Sequence, residues 1–274
     1  MVLKGQFLER SVVVRSGPFS LDALFHRGMR EPPCLIASPH PALGGSMVAP
    51  VVAELAWALT RAGHATLRFD YRGVGGSQGE LGRVAGSLGA SGALLELATL
   101  EDERADFLAA ADQLRASAGK VAPAALAEEA PRPADGGLCA IGYSFGAAVA
   151  LSAAADPRIA SLILIAPPSL LFNFSSLTRL QKPVLVLCAH HDPLCDRTAL
   201  TRSLGPHATL EVIAHADQSF RRGLTEVGRA AAAFLRAPGE PQVAAPERVD
   251  EPGEVMLAEL ELPEGDGEPL ELDE

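Results

Sequence analysis

Gly142-Tyr143-Ser144-Phe145-Gly146 decides how the rest of this chain is read. An apolar run, 138–141, leads into it, and an Ala-rich segment, 147–155, leads out. Strand, sharp turn and helix form the setting in which G-x-S-x-G lifts a serine hydroxyl out of a fold. The glycines have a steric reason. The turn holds the serine in a strained backbone conformation, and strand and helix approach closely only where the flanking residues carry no Cβ. The Phe145 N–H, first in the helix, then faces any oxyanion that forms beside Ser144.

Outward from this corner, short apolar runs predict strands at 12–14, 22–26, 34–38, 66–69, 138–141, 162–165, 184–188 and 210–213. The first two, joined at Gly17-Pro18, read as an antiparallel hairpin. Helical spacing marks 51–61, 100–116, 147–155 and 224–235. Strands alternating with helices predict an α/β fold with a doubly wound, mostly parallel sheet. Its strands are near-continuous apolar runs, as burial on both faces requires. Sites in such sheets lie beyond the carboxyl ends of the strands, where the serine corner falls.

The chain has 274 residues, 48% of them hydrophobic, and a formal net charge of −11. The acidity is local: thirteen acidic residues face Arg248 alone in 237–274, which leaves the preceding body near +1. That body gives no electrostatic case for nucleic acid. The start shows no secretory signal, and no run reaches the ~18 apolar residues of a membrane helix. Cys34, Cys139 and Cys188 lie in apolar runs and read as buried free thiols, with Cys195 in a loop. No zinc spacing occurs, and the expected compartment is the reducing cytoplasm. One domain is expected over 1–236, with flexible insertions at about 81–97 and 119–137. An acidic disordered tail, 237–274, follows; its alternating Leu and Glu suit either a solvated tail or a protein partner.

Three ordered segments carry a family likeness: Ser38-Pro39-His40-Pro41-Ala42-Leu43-Gly44-Gly45-Ser46-Met47, then Leu67-Arg68-Phe69-Asp70-Tyr71-Arg72-Gly73-Val74-Gly75-Gly76-Ser77, then the serine corner. Over about 12–235 the chain resembles the α/β-hydrolase superfamily. The likeness is to lid-poor bacterial hydrolases near the dienelactone-hydrolase and serine-aminopeptidase-like branches. The resemblance implies an α/β-hydrolase fold with a minimal cap, and a serine hydrolase acting on esters or related acyl compounds. It implies neither cofactor nor metal. It makes Ser144 the nucleophile and the Phe145 N–H one oxyanion donor. The second donor would come from the 40–47 loop, at Gly44, Gly45 or Met47, with His40 shaping that loop. The 70–77 turn would buttress it. From the residues themselves, Leu170, Leu171, Phe172 and Phe174 suit either an apolar wall over the site or ordinary packing.

The acid follows the 184–188 strand in this family, which selects Asp192, with Asp196 as runner-up. The base belongs in the loop after 210–213. Family members typically read Gly-Ala-Asp-His-Phe there; this chain reads His215-Ala216-Asp217-Gln218-Ser219-Phe220. Glutamine stands where the histidine belongs, and it has no pKa in range. Two readings stand. In one, His215 serves as base in a Ser144, Asp192, His215 triad, with His190 and His191 as weaker alternatives. In the other, the chain is a catalytically silent scaffold with a binding or regulatory role.

Overall fold

The computed structural model describes residues 7–81, 96, 99–119 and 137–236. The expected insertions fall largely, and the acidic tail wholly, outside the described residues. The chain separates into two units, Met1–Glu240 and Pro241–Glu274, and the fold below belongs to the first.

The chain opens with β1 (Arg10–Ser16) and β2 (Phe19–His26), a tight antiparallel hairpin through Gly17 at φ 55°. β3 (Arg30–Ala37), β4 (His64–Phe69), β5 (Leu138–Tyr143), β6 (Ile159–Ile165), β7 (Val184–His191) and β8 (Ala208–Asp217) complete one eight-stranded sheet. The order is β1-β2-β4-β3-β5-β6-β7-β8; from β4 to β8 every pairing is parallel. Helices α1 (Pro50–Arg61), α2 (Glu101–Gly119), α3 (Phe145–Ser152), α4 (Arg197–Arg202) and α5 (Leu224–Phe234) connect and cover it.

Two apolar clusters lie on opposite faces. One joins Phe107 and Leu114 of α2 and Val149 of α3 to Leu35, Ala140 and Leu164 of the sheet. The other joins Val51, Leu55 and Leu59 of α1 and Val227 and Ala231 of α5 to Ile36, Ile141 and Ile163. Consecutive residues of β3, β5 and β6 thus point to different helices and are all buried, which is why these strands show no polar alternation. Each large side chain so buried favours folding by about 1.5–3 kcal/mol.

The sheet order reverses at β3. From there the chain crosses through α1 to β4 on one side and later returns to β5 on the other. A crevice opens at this reversal, beyond the carboxyl ends of β3 and β5. Between β6 and β7 the chain makes only turns and a 3-10 turn, Ser175–Arg179, so no lid domain lies there. Among the described residues no helix is long and apolar enough to cross a membrane, and no His, Cys, Asp and Glu group is arranged to hold a metal ion.

Candidate active site

Ser144 stands between β5 and α3 at φ 54° and ψ −117°, a conformation that L-residues adopt only under constraint. The constraint is visible. A Cβ on Gly142 would lie 2.0 Å from the Gly146 carbonyl oxygen, and one on Gly146 would lie 2.4 Å from that of Ala37. Both glycines are therefore required for β3, β5 and α3 to meet. The Ser144 N–H donates to Ile165 O at 2.8 Å, which fixes the turn to β6. Ser144 lines an open cavity of about 490 Å³, with His40, Tyr143, Gln218 and Arg221 among its other walls.

At the head of α3 the Phe145 N–H has no acceptor among the described residues. The 40–47 loop is more fully committed. The N–H groups of Leu43 and Gly45 donate to His40 O, both at 3.0 Å, and that of Gly44 to Pro41 O at 2.9 Å. The Met47 N–H donates to Asp70 Oδ1 at 2.6 Å. Gly44, Gly45 and Met47, expected as oxyanion donors, have thus spent their hydrogens inside the protein. The glycines serve the loop itself: Gly44 takes φ 79° after the 3-10 turn Pro41–Leu43, and a Cβ on Gly45 would strike Pro39 O at 2.4 Å. The His40 N–H, just past β3, has no acceptor among the described residues.

The His40 ring is not set up to take a proton. Its Nδ1 accepts from the Ala42 N–H at 3.1 Å, so the neutral ring carries its hydrogen on Nε2. Burial lowers its pKa and keeps it neutral. Nε2 is buried with no partner among the described residues, and the ring meets Phe145 edge-on at 4.7 Å. Asp70, under the loop, accepts from Met47, while Arg68 Nη1 donates to Met47 O at 2.9 Å; the 70–77 turn is a buttress as expected.

Gln218, not His215, meets the nucleophile: its Nε2 donates to Ser144 Oγ at 3.4 Å. Turned over, the same amide would offer a carbonyl oxygen, which accepts a hydrogen bond but takes up no proton near neutral pH. The backbone is held there by Tyr143, whose hydroxyl donates to Gln218 O at 2.9 Å. Burial, then Asp192 and Asp217, push the Tyr143 pKa up to about 12, so it stays a donor. No sequence signal beyond its place before the serine marked Tyr143.

His215 lies within β8, three residues before Gln218, at φ 59° and exposed. Its ring faces His190 edge-on at 6.3 Å. The expectation that it serves as base meets a simple obstacle: β8 continues to Asp217, so the loop facing Ser144 begins only at Gln218. His190 and His191 are likewise exposed, at the end of β7.

Asp192 follows β7 beside that loop, since His191 pairs with Asp217 in the parallel ladder. Its Oδ1 accepts from the Leu194 N–H at 2.9 Å, while Oδ2 is buried with no partner among the described residues. Burial raises its pKa. The runner-up, Asp196, caps α4 instead, accepting from the Ala199 N–H at 3.0 Å. Nor does the 167–181 segment wall the site. Phe172 and Phe174 are buried in the core, and Leu170 is exposed. The apolar wall is Leu43, Ala49, Pro50 and Val51 on one side and Phe220 and Leu224 on the other.

No protein-family profile and no curated protein sequence matches the chain. Solved structures do. A lidless α/β serine hydrolase from Xanthomonas campestris is 26% identical, with 88% of this chain and 100% of that one covered and a TM-score of 0.64. An α/β serine hydrolase homologue from Coxiella burnetii is 24% identical, covering 83% and 97%, also at 0.64. An esterase from Pyrococcus furiosus is 16% identical over 83% and 91%, at 0.60, a likeness of fold.

Proposed function

We propose, for a chain that belongs to the α/β-hydrolase superfamily and has no lid, that its cavity receives the carbonyl end of an ester or related acyl compound. Turnover there is slow, because no base stands beside the nucleophile among the described residues. The observation that carries this reading is the contact between Gln218 Nε2 and Ser144 Oγ, with Asp192 Oδ2 buried and without a partner among the described residues.

In this reading the strained turn presents Ser144 to the carbonyl carbon. The Phe145 and His40 N–H groups take the developing oxyanion at the head of α3. In a complete triad an imidazole takes the hydroxyl proton and the carboxylate steadies the imidazolium that results. Here the amide of Gln218 only orients the hydroxyl, and the proton passes to water. An oxyanion hole and binding alone leave a residual of about 10³–10⁴ over water, far below a full triad. Binding of acyl ligands then outlasts their cleavage, and no cofactor or metal is called on. The leucine and glutamate repeat of the tail remains a proposal for a protein partner.

The test is hydrolysis of p-nitrophenyl acetate, with fluorophosphonate labelling alongside. Weak turnover that disappears in Ser144→Ala, with His215→Ala unchanged, is expected. Turnover at the level of ordinary esterases that collapses in His215→Ala would overturn this reading and restore His215 as the base.

A further inference from the structure

Cys188 and Cys195 bracket the segment that carries Asp192. Cys188, in β7, is buried, and Cys195, just before α4, is partly exposed. Their sulfurs lie 3.7 Å apart with no bond between them. The intervening chain is already folded back: the Cys195 N–H donates to Asp192 O at 3.4 Å, and the Leu170 N–H donates to Leu194 O at 3.0 Å. A disulfide needs its sulfurs about 2 Å apart, and these two already lie in van der Waals contact.

We propose that Cys188 and Cys195 form a reversible dithiol–disulfide site, oxidised by peroxides, that ties the acid-bearing loop to the end of β7. The roles follow from the surroundings. Cys195 is the attacking group: it is the more accessible, and hydrogen bonds from Cys188 and Ser169 favour its thiolate, lowering its pKa. Cys188 is the resolving group; the bond to Cys195 and burial hold it as a thiol.

The chemistry balances with peroxide as the oxidant. The Cys195 thiolate attacks one peroxide oxygen, the O–O bond breaks, and hydroxide leaves and is protonated to water. The product is a sulfenic acid at Cys195. The Cys188 sulfur then attacks the Cys195 sulfur, giving up its proton to the departing hydroxyl, which leaves as a second water. Two thiols are oxidised by two electrons in all, and one peroxide is reduced to two waters. Cys34 and Cys139, paired across β3 and β5, are fully buried and take no part.

The site is tested on the full chain, first reduced, then given stoichiometric hydrogen peroxide and alkylated with iodoacetamide. Trypsin should release Leu180–Arg197 as one peptide, because Lys182 precedes proline. That peptide should lose two hydrogens and resist alkylation at both cysteines, and dithiothreitol should restore both. Cys188→Ala should leave a sulfenic acid at Cys195 that dimedone traps. Oxidation of Cys195 to sulfinic or sulfonic acid while Cys188 still alkylates would overturn the proposal. So would two thiols that remain alkylatable after peroxide. The wild-type peptide alone decides this if the alanine variant fails to fold.

Discussion

Gln218 contacts Ser144, and Asp192 follows β7 beside the strand that ends just before Gln218. Asp192 Oδ2 is buried and has no partner among the described residues, and residue 218 follows Asp217, which pairs with His191. On the proposed reading, histidine at 218 would complete a triad with Ser144 and Asp192. Gln218→His should raise p-nitrophenyl acetate kcat/KM by about 10²-fold or more, the range of a positioned general base. The gain should vanish again in Gln218→His with Asp192→Asn; kinetics on the purified variants check both. Asp192 also makes a stability statement. Its folded pKa is raised, chiefly by burial, so the folded state holds the proton more tightly than the unfolded chain. The stability so contributed is full below the unfolded pKa and is lost as pH rises through the folded value. Asp192→Asn should therefore raise the melting temperature at pH 7, and the difference should shrink as pH falls through the carboxylate range. An equal shift at all pH values would contradict a buried, unpaired carboxylate.

Among the elements, the corner from β5 into α3 depends on two missing side chains. The methyl of Gly142→Ala would meet Gly146 O at 2.0 Å, against backbone that cannot step aside. A loss of about 3 kcal/mol is expected, typical of a backbone clash in a packed core, and urea unfolding measures it. The 40–47 loop depends on Asp70, which accepts the Met47 N–H. Asp70→Ala should cost about 1–3 kcal/mol through the orphaned donor and should weaken ligand binding as the loop loosens. Denaturation and KM of the Gln218→His background report the two effects separately. The same scale explains why β8 was harder to read than β5. β5 is buried along its whole length, so its residue types reveal it. β8 is a sheet edge whose side chains are mostly exposed or half-buried, and its apolar signal stops at Ile213 while its backbone pairing runs to Asp217. Four residues of strand without an apolar signature moved the start of the site loop past His215. α4 was missed for a related reason: it is short, and its sign is the Asp196 cap rather than a periodic apolar face.

Across the whole molecule, one buried ion pair joins the opening hairpin, the turn after β4 and α2. Asp106 is fully buried; Arg72 donates to it through Nη2 at 2.7 Å and through its backbone N–H at 3.0 Å, and Ser16 Oγ donates at 2.6 Å. Asp106→Ala would leave the guanidinium without its main partner and should destabilise by about 3–5 kcal/mol, read by thermal and urea unfolding.

The sequence by itself determined the sheet, the two helical layers, the serine corner and the place of Asp192 after β7. These depend on residue type at short range: apolar runs, glycines flanking a serine, an aspartate after a buried strand. Only the tertiary structure decided between His215 and Gln218 as the side chain facing Ser144, which loop N–H groups remain free, and what walls the cavity. Those outcomes follow from where hydrogen bonds between distant segments fall. The ladder from β7 to β8 carries His215 out to solvent and delivers Gln218, and the inward turn of the 40–47 loop consumes the donors of Gly44, Gly45 and Met47. Backbone pairing over such distances leaves no local trace in residue type.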